Sequence, residues 1–512
     1  MFSLLLLACD GGTAVIPVDT ADTAANLDSG GDALPGDEAE FGCAPDATDA
    51  SVDEGETATL QFACTGAAKA ESWALVSGPT GATFDETTGT LTWKTDLASA
   101  GEWVVKVEAV KGEGHESGKA RVWVADAWDA RGNTPVDPLT YTYEYGLPVL
   151  HLDVPDTIDG YSMWPGTVTY KGEVHEIEAQ VRGAASSYYP KKSYRVDFTP
   201  QDEFRDDDEG FPKRHSIVLT STFDDNSYFR QKLCFDIWNL LDGSHRVETM
   251  FTVVYLNGEY LGLYLLGDHI DGNWWEDQGH WEGGNLYKSV DHSANFYSTY
   301  GGPKSSWHSG YEQKEGLEAD WADLDGFVQF VAESNKGDFE AGIADYVDLE
   351  MIYDWWALVI FTEADDSAGK NAYLYNDPNN PKFYYAPWDF NHSLGQTWQT
   401  DREPATYAED FTGSNNLFKR LLASPTYGAA MSQRFADARA SVLTPDNLDA
   451  LIDVYVARTD PSARRDWDKW QAEYRAYGGW SWRTNWTDYD EEVDYTRQWV
   501  HDRWDFVESW AP

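Results

Sequence analysis

Ala364-Asp365-Asp366-Ser367-Ala368-Gly369-Lys370-Asn371 opens a stretch that passes through two short aromatic segments and closes on Pro387-Trp388-Asp389-Phe390-Asn391. It sets an aspartate, an asparagine five residues on, and a second aspartate beyond the turn signal Asn376-Asp377-Pro378-Asn379-Asn380-Pro381. A phosphoryl-transfer site uses this order and spacing for a carboxylate base and two metal ligands. Hard oxygen ligands of this kind suit Mg²⁺ or Mn²⁺ bridging phosphates. Asp366 fits the five-residue offset to Asn371, and Asp365 does not. Taken singly, Asp366 or Asn371 reads as a turn or cap residue; the ordered set points to chemistry.

Upstream, residues 348–362 are nearly all apolar and predict a buried helix that delivers the chain into Asp366. Helical patterns dominate from about 316 onward, ending in an amphipathic helix over 488–510. Residues 146–300 are strand-rich instead, with candidates at 148–154, 167–170, 175–181, 193–198, 216–219, 251–256 and 260–265. Asn257-Gly258 joins the last two as a hairpin turn, and one helix over 228–241 interrupts the strands. Strands followed by helices give an α+β body with two lobes.

Further toward the N-terminus, alternating runs at 58–63, 71–76, 89–93, 102–108 and 120–124 predict a small antiparallel β-sandwich over 43–126. Its Pro79-x-Gly81-Ala82-x-Phe84-Asp85 segment resembles the Ig- and cadherin-like modules of bacterial surface proteins. A linker over 127–145 separates it from the 146–512 body. Residues 10–42 carry eight acidic residues and no Lys or Arg, a composition that reads as a disordered tether. Leu6-Leu7-Ala8-Cys9 resembles a lipobox, so a lipoprotein-type leader over 1–9 and a lipid anchor at Cys9 are expected, although no basic residue precedes the apolar run. No segment approaches 18 apolar residues, so no transmembrane helix is predicted. Cys43 and Cys64 are placed to pair within the sandwich, and Cys234 reads as a buried free thiol.

The formal charge of −51 disfavours nucleic acid and anionic lipid as partners. It makes clustered cations conspicuous. A phosphate site needs one, and the segment from Arg182 to Tyr194 offers it. Arg182-Gly183-Ala184-Ala185-Ser186-Ser187 forms a small-residue loop able to approach phosphates through backbone N–H groups, and Lys191-Lys192 opens the next strand. An edge strand protected by lysine explains that pair equally well.

Five segments occur in order: Arg182-Gly183-x-x-Ser186 with Pro190-Lys191-Lys192-Ser193-Tyr194; Phe229-Arg230-Gln231-Lys232-Leu233; Leu256-Asn257-Gly258-Glu259-Tyr260-x-Gly262-x-Tyr264; Asp366 with Asn371; and Pro387-Trp388-Asp389-Phe390-Asn391-x-Ser393-Leu394-Gly395. Together they resemble the spore-coat CotH kinase family over roughly 146–510. The resemblance implies a two-lobed atypical protein-kinase-like domain (β-rich lobe about 146–300, helical lobe about 316–512) that transfers the γ-phosphoryl group of ATP to Ser or Thr of surface or coat proteins. It implies Asp366 as catalytic base, Asn371 and Asp389 as ligands of Mg²⁺ or Mn²⁺, and Lys191 or Lys192 as the ATP lysine. The loop bearing Arg182, Gly183, Ser186 and Ser187 would cover the phosphates. Three positions depart from the family pattern: Asn391 for a second aspartate, Asp268 for a glutamate, and Ala184-Ala185 for a more polar pair. The expected acceptor is a basic or Ser/Thr-rich protein met outside the cytoplasm or at the cell surface. The competing reading is an inactive surface adhesion or scaffold protein that keeps the fold. A carbohydrate-active enzyme is disfavoured because nothing sets two carboxylates apart as an acid–base pair.

Overall fold

The computed structural model describes residues 42–510 except 67, 96–98, 100, 113, 126–135, 242–244, 300–303, 317–319 and 481–482. The leader, Cys9, almost all of the acidic tether and residues 127–135 of the linker lie outside the described residues. The chain divides into two compact units, Met1–Asp137 with Tyr141–Pro148, and Pro138–Thr140 with Val149–Pro512.

In the first unit, the strands Ala50–Asp53, Gly114–Ala125, Gly101–Lys111 and Ser72–Ser77 form one sheet, and Thr57–Gln61, Thr90–Lys94 and Thr83–Asp85 form another. Alternation turns Ala58, Leu60, Leu91 and Trp93 from one sheet, and Val105, Val107, Val122 and Val124 from the other, into one shared core. Cys43 and Cys64 are joined as a disulfide.

The second unit begins with seven strands: β1 (Leu147–Asp153), β2 (Trp164–Tyr170), β3 (Glu173–Arg182), β4 (Ser193–Phe198), β5 (Ser216–Thr220), β6 (Thr249–Leu256) and β7 (Glu259–Asp268). Their order is β1-β2-β3-β4-β5-β7-β6, and β6 returns to pair in parallel with β1, so these strands close a barrel. Closure removes the open edges that an antiparallel sheet would expose. β3 shows how sequence sets the wall: Ile177, Ala179 and Val181 point inward while the residues between them face out. β6 is instead buried along almost its whole length, because helices pack on its outer side; Phe251 meets Tyr455 there with ring centroids 5.9 Å apart. The Asn257-Gly258 turn holds two successive positive φ angles, 51° and 81°, as a type I′ hairpin requires.

Eight helices are labelled α1 (Arg230–Leu241), α2 (Ala322–Glu333), α3 (Lys336–Tyr346), α4 (Leu349–Thr362), α5 (Asn416–Leu422), α6 (Pro425–Ser441), α7 (Pro445–Ala476) and α8 (Tyr489–Trp510). A second antiparallel sheet joins β8 (Asn285–Ser289), β9 (Tyr311–Glu315), β10 (Ala372–Asp377) and β11 (Asn380–Pro387) in the order β9-β8-β10-β11. It takes two strands from between α1 and α2 and two from between α4 and α5. The architecture is α+β, with its sheets concentrated toward the N-terminal side. Among the described residues no helix is long and apolar enough to cross a membrane.

Candidate functional site

α4 is the rod on which the site is mounted. Asp348 caps its N-terminus by accepting from the Met351 amide, and Met351 through Thr362 are all buried. Glu363 ends it in the left-handed conformation at φ 51°. Arg503 of α8 locks that end, donating to the Ile360 carbonyl and to the Glu363 carboxylate. A short turn, Asp365–Ser367, follows. The Trp355 indole N–H donates to the Ser367 carbonyl at 3.0 Å, and Ser367 Oγ donates to the Asp389 carbonyl at 3.1 Å. One serine therefore ties the Asp366 turn to the segment after β11.

Asp366 is partly buried and doubly held. Asn371 Nδ2 donates to its Oδ2 at 2.9 Å, and Lys370 Nζ lies 2.7 Å from its Oδ1. Asn371 is itself fixed by its amide, which donates to the Ser289 carbonyl of β8 at 2.9 Å. Asn371 (φ 53°), Asp389 (φ 64°) and Leu394 (φ 48°) are non-glycine residues in the left-handed region, as is Glu363. Strain gathered within one small region is characteristic of functional sites.

The Asp389 carboxylate accepts no hydrogen bond from the described residues. Burial raises its pKa and Asp366 adds to the rise, while His392, Lys288 and Arg182 oppose it. Beside it lies Asp224, buried, which accepts from Tyr189 Oη at 3.2 Å, from Asn391 Nδ2, and pairs with His392 Nε2 at 3.0 Å. Burial works against charge on His392, but the bond and charge of Asp224, with Asp389 and Asp366 behind, hold its pKa above the usual value. Asn391 gives its amide N–H to Asp224 and leaves Oδ1 buried without a partner. An orphaned amide oxygen beside an unbonded carboxylate is the donor chemistry a hard cation takes. Among the described residues no three His, Cys, Asp or Glu side chains form a metal cluster by themselves. A cation here would draw its remaining ligands from water or phosphate, as Mg²⁺ ordinarily does.

The residues singled out in the Arg182–Lys192 segment separate. The Arg182 guanidinium lies over the Trp388 indole, 4.6 Å from its centroid. Gly183, at φ 104°, has no room for a side chain, since a Cβ would stand 2.0 Å from Ser186 Oγ. Ser186 and Ser187 form a tight turn in which Ser187 Oγ donates to the Ala184 carbonyl at 2.7 Å. Tyr189 then anchors the loop to Asp224. The loop thus reaches the Asp389 neighbourhood twice. Lys192 supports it by donating to the Ser187 carbonyl at 2.5 Å. Lys191 goes elsewhere: its ammonium is 0% exposed and bonds Asp466 of α7 at 2.5 Å and the Leu263 carbonyl at 2.6 Å.

Asp224, Lys288 and Lys370 escape the sequence reading. Asp224 sits in an unpatterned loop, and Lys288 in a strand separated from Asp389 by a long stretch of chain. Only Lys370, adjacent to Asn371, carried a local signal. A cavity of about 640 Å³ lined by Trp281, Glu282, Glu315 and Asp320 lies at the Asn285–Asn376 end of the β8–β10 ladder, away from Ser289, Ala372 and the site.

Comparison with known proteins bears on residues 179–507, which match a family model described as CotH kinase protein. The chain is 26% identical over 294 residues to the inner spore coat protein H of Bacillus subtilis (strain 168), spanning 57% of this chain and 78% of that protein. Among solved structures, the PKD domain of human KIAA0319 is 18% identical, covering 21% of this chain and 100% of that one at a TM-score of 0.14. A tandem pair of titin Ig domains is 11% identical, covering 31% of this chain and 90% of that one at a TM-score of 0.15. Scores this low carry no structural argument.

Proposed function

The chain belongs to the CotH kinase family, and on that premise we propose that it transfers the γ-phosphoryl group of ATP to serine or threonine hydroxyls of a protein acceptor. The observation that carries this reading is the clasp around Ser367. It joins a held carboxylate, Asp366 with Asn371, to an unbonded one, Asp389, across the β10–β11 hairpin. Asp366 takes the proton of the acceptor hydroxyl. Asn371, having given its N–H to Asp366, would offer its amide oxygen to a metal, with Asp389 and Asn391 Oδ1 as the other candidate ligands. Mg²⁺ or Mn²⁺ held there supplies charge neutralisation for the phosphates. Lys370 adds a cation within reach of the same carboxylate. The similarity to a spore coat protein supports an acceptor among coat or surface proteins.

The test incubates the full chain with γ-labelled ATP and Mn²⁺, using the protein itself and casein as acceptors, beside Asp366→Asn and Asp389→Ala. Label should enter the native protein or casein and fall by about 100-fold or more in each variant. Equal incorporation in all three, or none in any, overturns the reading.

A further inference from the structure

Arg182 and Lys288 act on Asp389, Arg195 lies within electrostatic reach of the first and Lys314 of the second, and these cations are not equivalent. Arg195 is neutralised by Asp197, with Nε and Nη2 bonds of 2.7 and 2.8 Å. Lys314 is neutralised by Glu312 at 2.6 Å. The Arg182 and Lys288 side chains form no ion pair and no hydrogen bond among the described residues, and Asp389 attracts both only through space. Both instead lie over the ring of Trp388, Arg182 at 4.6 Å and Lys288 at 5.8 Å, and Lys288 also lies over Tyr373 at 5.6 Å.

This is unexpected on charge alone. The chain carries 88 acidic residues against 37 Lys and Arg, so a carboxylate is statistically close to every cation. Glu312 is directly opposite Lys288 in the β8–β9 register, yet it is taken by Lys314. Both side chains are only partly exposed, and each carries the cost of that position. Burial lowers the pKa of Arg182, and burial together with the charge of Arg182 lowers that of Lys288 to about 8. Asp389 attracts both charges through space, but two like charges over one indole, partly desolvated and with no ion pair of their own, still favour an anion from outside the fold.

We propose that Arg182 and Lys288, spaced by Trp388, form a two-pronged site for phosphoryl oxyanions, and that its occupant is the polyphosphate of the nucleotide. This rests on the kinase reading for its occupant, though the anion site follows from the cation pair. The assignment moves the phosphate-binding lysine from the Lys191-Lys192 pair to β8. Lys191 is buried against Asp466, and Lys192 holds a loop carbonyl. The guanidinium supplies a planar fork for two oxygens, while the ammonium acts as a point charge.

The experiment measures binding to the full chain with Mg²⁺ present, by calorimetry, for native protein, Lys288→Met, Lys288→Arg and Arg182→Met. The probes are ATP, inorganic tripolyphosphate, adenosine and phosphoserine. Lys288→Met and Arg182→Met should weaken ATP and tripolyphosphate by about tenfold or more each, leave adenosine unchanged, and Lys288→Arg should recover most of the loss. If phosphoserine alone shows this dependence, the site holds phosphorylated acceptor and the assignment of the nucleotide is overturned. If both Met variants keep native unfolding temperatures and bind ATP and tripolyphosphate as the native protein does, the anion site is overturned. Dependence of tripolyphosphate binding on Lys288 in a chain that transfers no label upholds the anion site and refutes the kinase reading. Label transfer untouched by either Met variant does the reverse.

Discussion

Lys191 and Lys288 stand in the same unit of one acidic chain, the first just before β4 and the second within β8, and have opposite fates. Lys191 is sealed between the barrel and α7, bonded to Asp466. Gly262, opposite them, leaves the room that arrangement needs, because a Cβ there would lie 2.1 Å from Asp466 Oδ2. Lys288 sits partly exposed over aromatic rings with no ion pair of its own. The first cation is completed by the fold and the second is not. A pairing built by helix, strand and glycine together serves stability and register. An incomplete pairing beside strained backbone serves a ligand. Burial weakens charge on both members of the sealed pair, pushing Lys191 down and Asp466 up. Such a pair adds little net stability while intact and is costly to break.

The comparison divides the expected consequences of substitution into two kinds. The largest belongs to the incomplete region. Asp366→Asn should cut phosphoryl transfer by roughly 10²–10⁴-fold with an unfolding midpoint close to native, since the amide keeps the shape of the turn. A matching loss of stability, read by urea titration, would place Asp366 with the structural pairs. Next is Lys191→Met, which strands the Asp466 carboxylate and should cost about 3–5 kcal/mol. Adding Asp466→Leu should restore most of it. If the single variant is as stable as the native chain, the sealed character of this region is refuted.

A further buried set behaves like Lys191 and is read by pH. Burial alone would raise the Glu492 carboxyl, but Arg230, Thr487 and Arg402 override it and lower the pKa to about 2. A carboxylate lowered on folding stabilises the native state above its unfolded pKa, and that contribution disappears as pH falls from about 4.3 toward 2. Stability measured between pH 5 and pH 2 should lose up to ~3 kcal/mol from this group. Glu492→Gln should flatten that part of the curve; an unchanged slope would show that Arg230 and Glu492 are not coupled.

Much of this was legible in sequence because it is local. Alternation in β3, the apolar run of α4 and the Asn257-Gly258 turn are fixed by neighbours a few residues apart. The same holds for the five-residue step from Asp366 to Asn371, whose side chains do meet. Closure of the barrel was not legible, because the pairing of β1 with β6 joins Val149 to Val253 and depends on how every intervening strand twists. Lys191 and Lys192 looked like phosphate ligands because two adjacent lysines are rare in this chain. Which of them faces inward depends on α7, far along the sequence. Lys288 carried no signal, since its meaning lies in the absence of a partner, which only three dimensions reveal.

The smallest expected effect is the most discriminating. Lys288→Met removes a partly desolvated charge that Arg182 repels and that Asp389 and Glu312 attract only through space. No ion pair is there to lose, only the cation–π contacts with Tyr373 and Trp388. The methionine keeps contact with Tyr373 and Trp388 through its thioether. Stability should therefore remain within about 0.5 kcal/mol of native, or rise slightly, when unfolding is followed in urea near neutral pH. A drop comparable to that of Lys191→Met would mean that Lys288 is held by the fold after all. The contrast between the two lysines would then fail, and with it the reason for expecting an anion at Trp388.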